Sequence, residues 1–259
     1  MLTSASYRVG LAAIAASAFV VLGFSASAQA SWIPEPGSIL VTVTATSGGE
    51  TSTYDVSIPL GLTVDGHYVW SLPAAEELRG TGEPFATIQG ITLGVDSDPG
   101  VSLGFVVSAG NADTEFAITA ATVTFTPLYN IMAFASAGVT VTDADTDGAT
   151  LTGLFDGGYA YEARYNSPAV TWAKLLGNPV VAGTDDTLTV NGRRPATFRE
   201  SISGTLSSIQ SQWHFKVTAH DDASGTSRFD VSGTEVPEPA TLTLMAAGGL
   251  GALLFRRRR

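Results

Sequence analysis

The chain contains no cysteine. Disulfides, thiolate metal sites and a cysteine nucleophile are therefore all excluded. Many small secreted domains depend on disulfide staples, so stability here has to rest on core packing, with or without a bound metal. Basic residues are scarce as well, 13 Lys and Arg against 24 Asp and Glu. Arg8, Arg256, Arg257, Arg258 and Arg259 lie near the ends, which leaves eight basic against 24 acidic residues in the middle region, a net charge of −16. A surface of that sign repels phosphate backbones and anionic headgroups, which argues against nucleic-acid or lipid-surface binding by this region. Divalent cations and neutral or cationic polymers remain as electrostatic partners. The three histidines, His67, His214 and His220, are scattered without zinc-ligand spacing and read as surface residues. No G-x-S-x-G elbow and no P-loop is present.

What the chain does have is organised at its two ends. Arg8 precedes an apolar run from Val9 to Phe24, and Ala28-Gln29-Ala30 supplies an A-x-A cleavage pattern before Ser31. Residues 1–30 thus read as a secretory signal helix, cleaved between Ala30 and Ser31 or, alternatively, after Ala28, which directs the chain to the Sec export machinery; an uncleaved anchor is the rival reading. At the other end, Pro237-Glu238-Pro239 is followed by an apolar run from Ala240 to Phe255 and then by Arg256 to Arg259. Sixteen helical residues span about 24 Å, less than a hydrocarbon core of about 30 Å. Gly248, Gly249 and Gly251 weaken the run further as a permanent helix. The run reads as a marginal membrane stop, a short transmembrane helix with a strong positive-inside clamp, and an ordinary tail anchor is the alternative. Arg8 and the arginine cluster would both stay cytoplasmic while the region between them is translocated.

The order of these three parts, Pro237-Glu238-Pro239, the glycine-containing apolar helix and the terminal arginines, resembles the PEP-CTERM sorting signal of Gram-negative and related bacteria. That tail also carries the family label "ice-binding protein C-terminal domain", which says nothing about affinity for ice. The resemblance implies recognition and removal of the tail by an exosortase, an integral-membrane cysteine protease, and a link to exopolysaccharide and biofilm production. It implies a transient anchor in the inner membrane and a final place in the cell envelope, on the surface or outside the cell. The region from Val95 to Phe105, the strands after it and Asp143 to Leu151 are more loosely similar to secreted portions found ahead of such tails.

Between the ends the hydrophobic period is two. Ile39 to Thr46 and Thr51 to Ile58 flank Ser47-Gly48-Gly49-Glu50, which predicts a four-residue hairpin loop. Further strands are expected over 67–71, 85–95, 101–108, 114–126, 129–142, 149–155, 158–165, 168–173, 187–190, 197–206, 208–220 and 226–232, with His214 and His220 on the polar face of one of them. The only helical hint is Pro73 to Leu78, about one turn. These strands, separated by Gly, Asp and Asn turns, predict an all-β fold, an antiparallel β-sandwich of jelly-roll or Ig-like type. The expected organisation is a signal peptide over 1–30, a secreted β-sandwich over 31–235 and the sorting tail over 236–259.

Asp143, Asp145 and Asp147, followed by Gly148, have the alternation of a calcium loop. A complete EF-hand loop would place Glu where Leu154 stands, so calcium would need Asp156 or loop carbonyls, and a metal-free acidic turn is the alternative. Asp96 and Asp98, beside Pro99-Gly100, read as a turn, with a second calcium site as the alternative. Thr-x-Thr steps at Thr42 to Thr46, Thr122 to Thr126, Thr140/Thr142 and Thr187/Thr189 are explained by half-exposed strands. Trp32, Trp70, Trp172 and Trp213 are expected mainly in the core. The function expected is that of an exported, exosortase-sorted surface or matrix protein without catalytic activity. Its rivals are a calcium-assisted carbohydrate-binding module that contacts extracellular polysaccharide and a hydrolase whose carboxylates meet only in the fold.

Overall fold

The computed structural model describes residues 39–57, 67–96, 98–166 and 170–235. The signal segment with Ala28, Ala30 and Ser31, Trp32, and the tail with Pro237, Glu238, Pro239 and Arg256 to Arg259 lie outside the described residues, as do both expected terminal helices. The described residues form strands and turns and contain no helix, in keeping with the period-two pattern.

The strands are β1 (Ile39–Ser47), β2 (Glu50–Ser57), β3 (His67–Ser71), β4 (Glu76–Arg79), β5 (Pro84–Asp96), β6 (Gly100–Ala109), β7 (Thr114–Ala120) and β8 (Val123–Thr142). They continue with β9 (Thr150–Gly153), β10 (Tyr161–Tyr165), β11 (Thr171–Leu175), β12 (Val180–Val181), β13 (Thr187–Arg194), β14 (Glu200–Ile202), β15 (Leu206–Val217) and β16 (Asp222–Glu235). The main path runs β2-β1-β7-β15-β8-β16-β6-β5-β3, and every pairing is antiparallel. β9 and β10 lie against β15, while β13 and β14 flank β8.

Hydrogen bonding therefore unites sixteen strands in one curled sheet, where the sequence suggested two separate ones. The 20-residue β8 is the reason. Its first residues pair with β15, Val123 opposite Ile209, and the strand then pairs with β16 from Leu128 to Thr142. Pro127 interrupts β8 where the register with β15 shifts between Leu206 and Ser208. A residue without an N–H is tolerated at such a bulge, where the ladder is already broken.

The curl brings strands that are not neighbours into face-to-face contact. Phe105 of β6 meets Trp213 and Phe215 of β15 with ring centroids 5.0 and 5.1 Å apart. Trp172 of β11 stacks on Phe229 of β16 at 5.5 Å. Trp172 and Trp213 are core residues, as expected, and Trp70 packs half-buried against the same core. The core also encloses a small polar cluster. Trp213 Nε1 donates to Ser227 Oγ at 3.0 Å, and Ser211 Oγ donates to Tyr161 Oη at 3.2 Å and lies 3.0 Å from Ser227 Oγ. Burial raises the Tyr161 phenol well above its ordinary range, so it stays neutral and the cluster holds no charge.

Local differences from expectation have physical causes. Gly48 and Gly49 carry φ of 58° and 86° between the paired Ser47 and Glu50, so the first hairpin closes through a two-residue turn that needs positive φ. The helical hint over 73–78 is overturned: Glu76 to Leu78 pair with Ile88 to Ala86 as β4. Leu78 is buried between exposed neighbours, a period-two environment, and one turn of helix could not offset its nucleation cost. The break expected near residue 127 falls instead at 121–122, and the expected 197–206 strand is reduced to Glu200–Ile202, with Leu206 opening β15. His220 lies in the turn between β15 and β16 with φ of 60°, not on a strand beside His214.

Candidate cation site and sorting tail

The loop after β8 gathers the three predicted acids. Ligand atoms of Asp143, Asp145 and Asp147 all lie within 4.8 Å of one another. Asp143 is almost buried, whereas Asp145 and Asp147 are exposed. The Asp143 carboxylate organises the loop: Oδ1 accepts from the backbone N–H groups of Thr146 at 3.0 Å and Asp145 at 3.3 Å, and Oδ2 accepts from that of Asp185 at 2.6 Å. Burial works against its ionisation, yet the backbone donors of Asp185, Gly148, Asp145 and Thr146 prevail and hold its carboxyl below the usual carboxylate range. Asp147 is pushed the other way, first by its hydrogen bond with Asp145 and then by the charge of that neighbour. Gly148 closes the turn at φ 97°.

A fourth carboxylate reaches the same place from a distant part of the chain. Asp221, at the β15–β16 turn, is fully buried. Its Oδ1 accepts from the Ala144 N–H at 3.3 Å, and Thr218 Oγ1 donates to Oδ2. Desolvation raises its carboxyl above the ordinary range, and the charges of Asp145 and Asp143 add to the rise. Asp221 gave no signal in the local spacing, because only the pairing of β16 with β8, Asp222 opposite Thr142, carries it to the loop. Asp156, suggested from the sequence as a completing ligand, is instead fully exposed and pairs with Lys174 at 3.2 Å. Carboxylates at this spacing repel one another unless protons, solvent or a cation intervene, and the all-oxygen donor set is of the hard kind suited to calcium.

The other candidates have protein partners. Asp96 bonds His67 Nδ1 at 2.8 Å and Arg228 at 2.9 Å, and Asp98 lies in the following turn, so these residues read as a salt-bridged turn. His214 Nε2 lies 2.6 Å from Glu115. Sequence reasoning missed the buried Glu162, whose Oε2 accepts from Arg164 Nε at 2.8 Å and Thr171 Oγ1 at 2.9 Å. Adjacent strands β10 and β11 assemble that cluster, and no contiguous motif announces it.

The described residues form an acidic all-β body, and in the sequence Pro237-Glu238-Pro239, a short apolar segment and four arginines follow it. Residues 235–259 match the family described as the PEP-CTERM protein-sorting motif. The chain thus carries that sorting signal, which marks it as an exported, envelope-associated substrate of an exosortase. No curated protein matches the chain. Among solved structures, that of the infectious bursal disease virus Gt strain is 11% identical, covering 82% of this chain and 72% of that one, with a TM-score of 0.18. The Gx strain structure is 10% identical over 80% and 70% of the two chains, with a TM-score of 0.14. Likenesses at this level carry no inference.

Proposed function

We propose that this chain is a noncatalytic surface or extracellular-matrix protein, a compact β-sandwich-like body delivered outside the cell and fixed or released there through its tail, in association with biofilm exopolysaccharide. The observation that carries this reading is the junction at Glu235. β16 is described as far as Glu235, the first residue of the sorting motif, so the motif follows on from this strand in the chain. β16 is also an interior strand, bonded to β8 on one side and β6 on the other. Its last residues, Ser232 to Glu235, pair with β8 alone, while Asp222 to Asp230 are held along both edges, so a pull on the tail passes into a strand anchored from both sides. The noncatalytic reading is favoured by the ion pairs that hold several acids outside the Asp143–Asp147 loop. Glu162 is tied to Arg164, Glu200 to Arg194, Asp96 to Arg228 and Asp113 to Lys216. A hydrolase would need two such groups free to face a substrate.

Calcium held by Asp143, Asp145 and Asp147, with the Asp221 carboxylate beneath them, belongs to the same proposal as a structural cation. It would neutralise the most acidic spot of the body in the millimolar calcium found outside cells. Sorting is tested by intact-mass analysis of the protein recovered from the native host. The expected mature form lacks Arg256 to Arg259 together with the apolar run before them. Recovery of the full C-terminus on exported protein would replace the sorting reading with a permanent tail anchor.

A further inference from the structure

One outer face of the sheet carries a transverse band of hydroxyls and glycines with one amide. Register places six residues of six adjacent strands in a single line across it. Asn191 of β13 faces Gly138 of β8, which faces Thr226 of β16; Thr226 faces Gly104 of β6, which faces Thr92 of β5, which faces Ser71 of β3. This line is the bed of a shallow groove of about 400 Å³. Because the glycines have no Cβ, polar side chains of the adjacent strands lean over them: a Cβ on Gly104 would sit 2.5 Å from Thr92 Oγ1, and one on Gly138 would overlap Asn191 Oδ1.

Several groups in the rows on either side are already bonded within the protein, although Ser224 and Ser136 of those rows have no side-chain hydrogen bond to another described residue. On one side, Thr140 and Thr189 lie 2.8 Å apart through their hydroxyls, and Thr187 donates to Thr142 at 3.1 Å. On the other side, Arg228 is held by Asp230 at 2.7 Å and Asp96 at 2.9 Å. Along the groove itself, the Asn191 amide and the hydroxyls of Thr226, Thr92 and Ser71 bond to no other described residue. Hydrogen-bonding capacity on this face is thus left open along the groove.

We propose that this groove binds an extended neutral polysaccharide. Its open groups are amides and hydroxyls, which both donate and accept, as a chain of sugar hydroxyls requires. None of the six is charged, and the net −16 of the middle region disfavours a polyanion. Val106, 37% exposed, and Leu72 line the same groove and offer apolar contact to the C–H faces of sugar rings. Asn191, Thr226 and Thr92 recur every second strand, about 9.6 Å apart, a spacing suited to a two-sugar repeat. A bound peptide would instead seek the backbone groups of a sheet edge. The polymer's presence near the protein rests on the extracellular placement proposed above, whereas the binding itself does not.

The test uses protein purified from the native host in affinity electrophoresis through gels containing hydroxyethyl cellulose, dextran, alginate or gelatin. Hydroxyethyl cellulose, an extended neutral β-glucan, is expected to retard the wild type. The combined substitution Asn191→Ala, Thr92→Val and Thr226→Val is expected to weaken that retardation at least tenfold with an unchanged melting temperature. Thr44→Val with Thr53→Val, which removes the bonded pair between β1 and β2, is expected to retain it. Absence of retardation by both neutral polymers, retardation only by alginate or gelatin, or equal retardation of the triple variant would each overturn the proposal. A mass measurement showing tail removal would stand whichever way this binding test falls.

Discussion

Trp213 of β15 and Ser227 of β16 are joined by an indole N–H···Oγ hydrogen bond of 3.0 Å across the interior of the curled sheet. The two strands do not share a ladder, so this bond connects opposite walls of the core. Ser227 Oγ is also within 3.0 Å of Ser211 Oγ, and Ser211 in turn meets Tyr161. Ser227→Ala would strand the fully buried Trp213 N–H without an acceptor. Leaving one buried group unsatisfied costs about 1–3 kcal/mol. Urea unfolding should show a loss in that range, and a loss below about 0.5 kcal/mol would mean that the cluster rearranges freely.

Close packing around glycines gives a second expectation. At Gly225, inward-facing and opposite Phe105, a Cβ would lie 2.6 Å from the Phe105 ring and 3.2 Å from the Gly138 carbonyl oxygen. The ring covers the glycine, as aromatics often do in sheets. Gly225→Ala must displace Phe105, which also packs on Trp213 and Phe215, and overpacking of this kind costs about 1–3 kcal/mol. Gly82→Ala, in open space, serves as the control. Thermal melting should fall for the first and hold for the second.

The Arg194–Glu200 pair gives the pH dependence a sign. The hydrogen bond from Arg194, reinforced by its charge, holds the Glu200 carboxyl below its ordinary value of 4.5. A depressed folded value means stability that is present above the unfolded value and lost as pH falls through the folded one. Glu200→Gln should therefore melt slightly below wild type at neutral pH. The gap should close once the pH drops well under 4.5. A gap that persists unchanged in acid would assign the effect to packing, since Arg194 also lies 5.0 Å from the Trp172 ring.

Much of this architecture was legible in the residues themselves. Alternation of apolar and polar side chains marks strands locally, and Gly48-Gly49 names its own turn, because both depend on neighbours in the chain. The acidic loop was legible for the same reason. Asp221 was not, since a single aspartate in a turn has meaning only when pairing brings it beneath Asp143 to Asp147. The hydroxyl groove was hidden in the same way: Asn191, Thr226 and Thr92 sit on separate strands, and register alone aligns them. β4 misled because Ala74 to Leu78 favours helix by intrinsic propensity, while pairing with β5 decides otherwise.

Calcium is tested through stability. A ligand that binds only the folded state stabilises it by RT ln(1 + [L]/Kd), about 2.7 kcal/mol at a hundredfold excess over Kd. Extracellular modules bind calcium at about 0.1–1 mM, so the melting shift should develop in the millimolar range. Magnesium should shift it less, because it demands tighter octahedral geometry and gives up water reluctantly. Asp145→Asn removes one exposed ligand charge without touching the loop-forming bonds of Asp143 Oδ1 and Oδ2. It should therefore weaken the shift while leaving the metal-free melting temperature equal or higher, since one of the mutually repelling charges is gone. Asp221→Asn should reduce the shift as well if the buried carboxylate contributes its charge from below. The comparison is made in EDTA, calcium and magnesium at matched ionic strength, so that general screening cancels. Equal melting temperatures in all three solutions would leave Asp143, Asp145 and Asp147 as an acidic turn whose charges water alone accommodates.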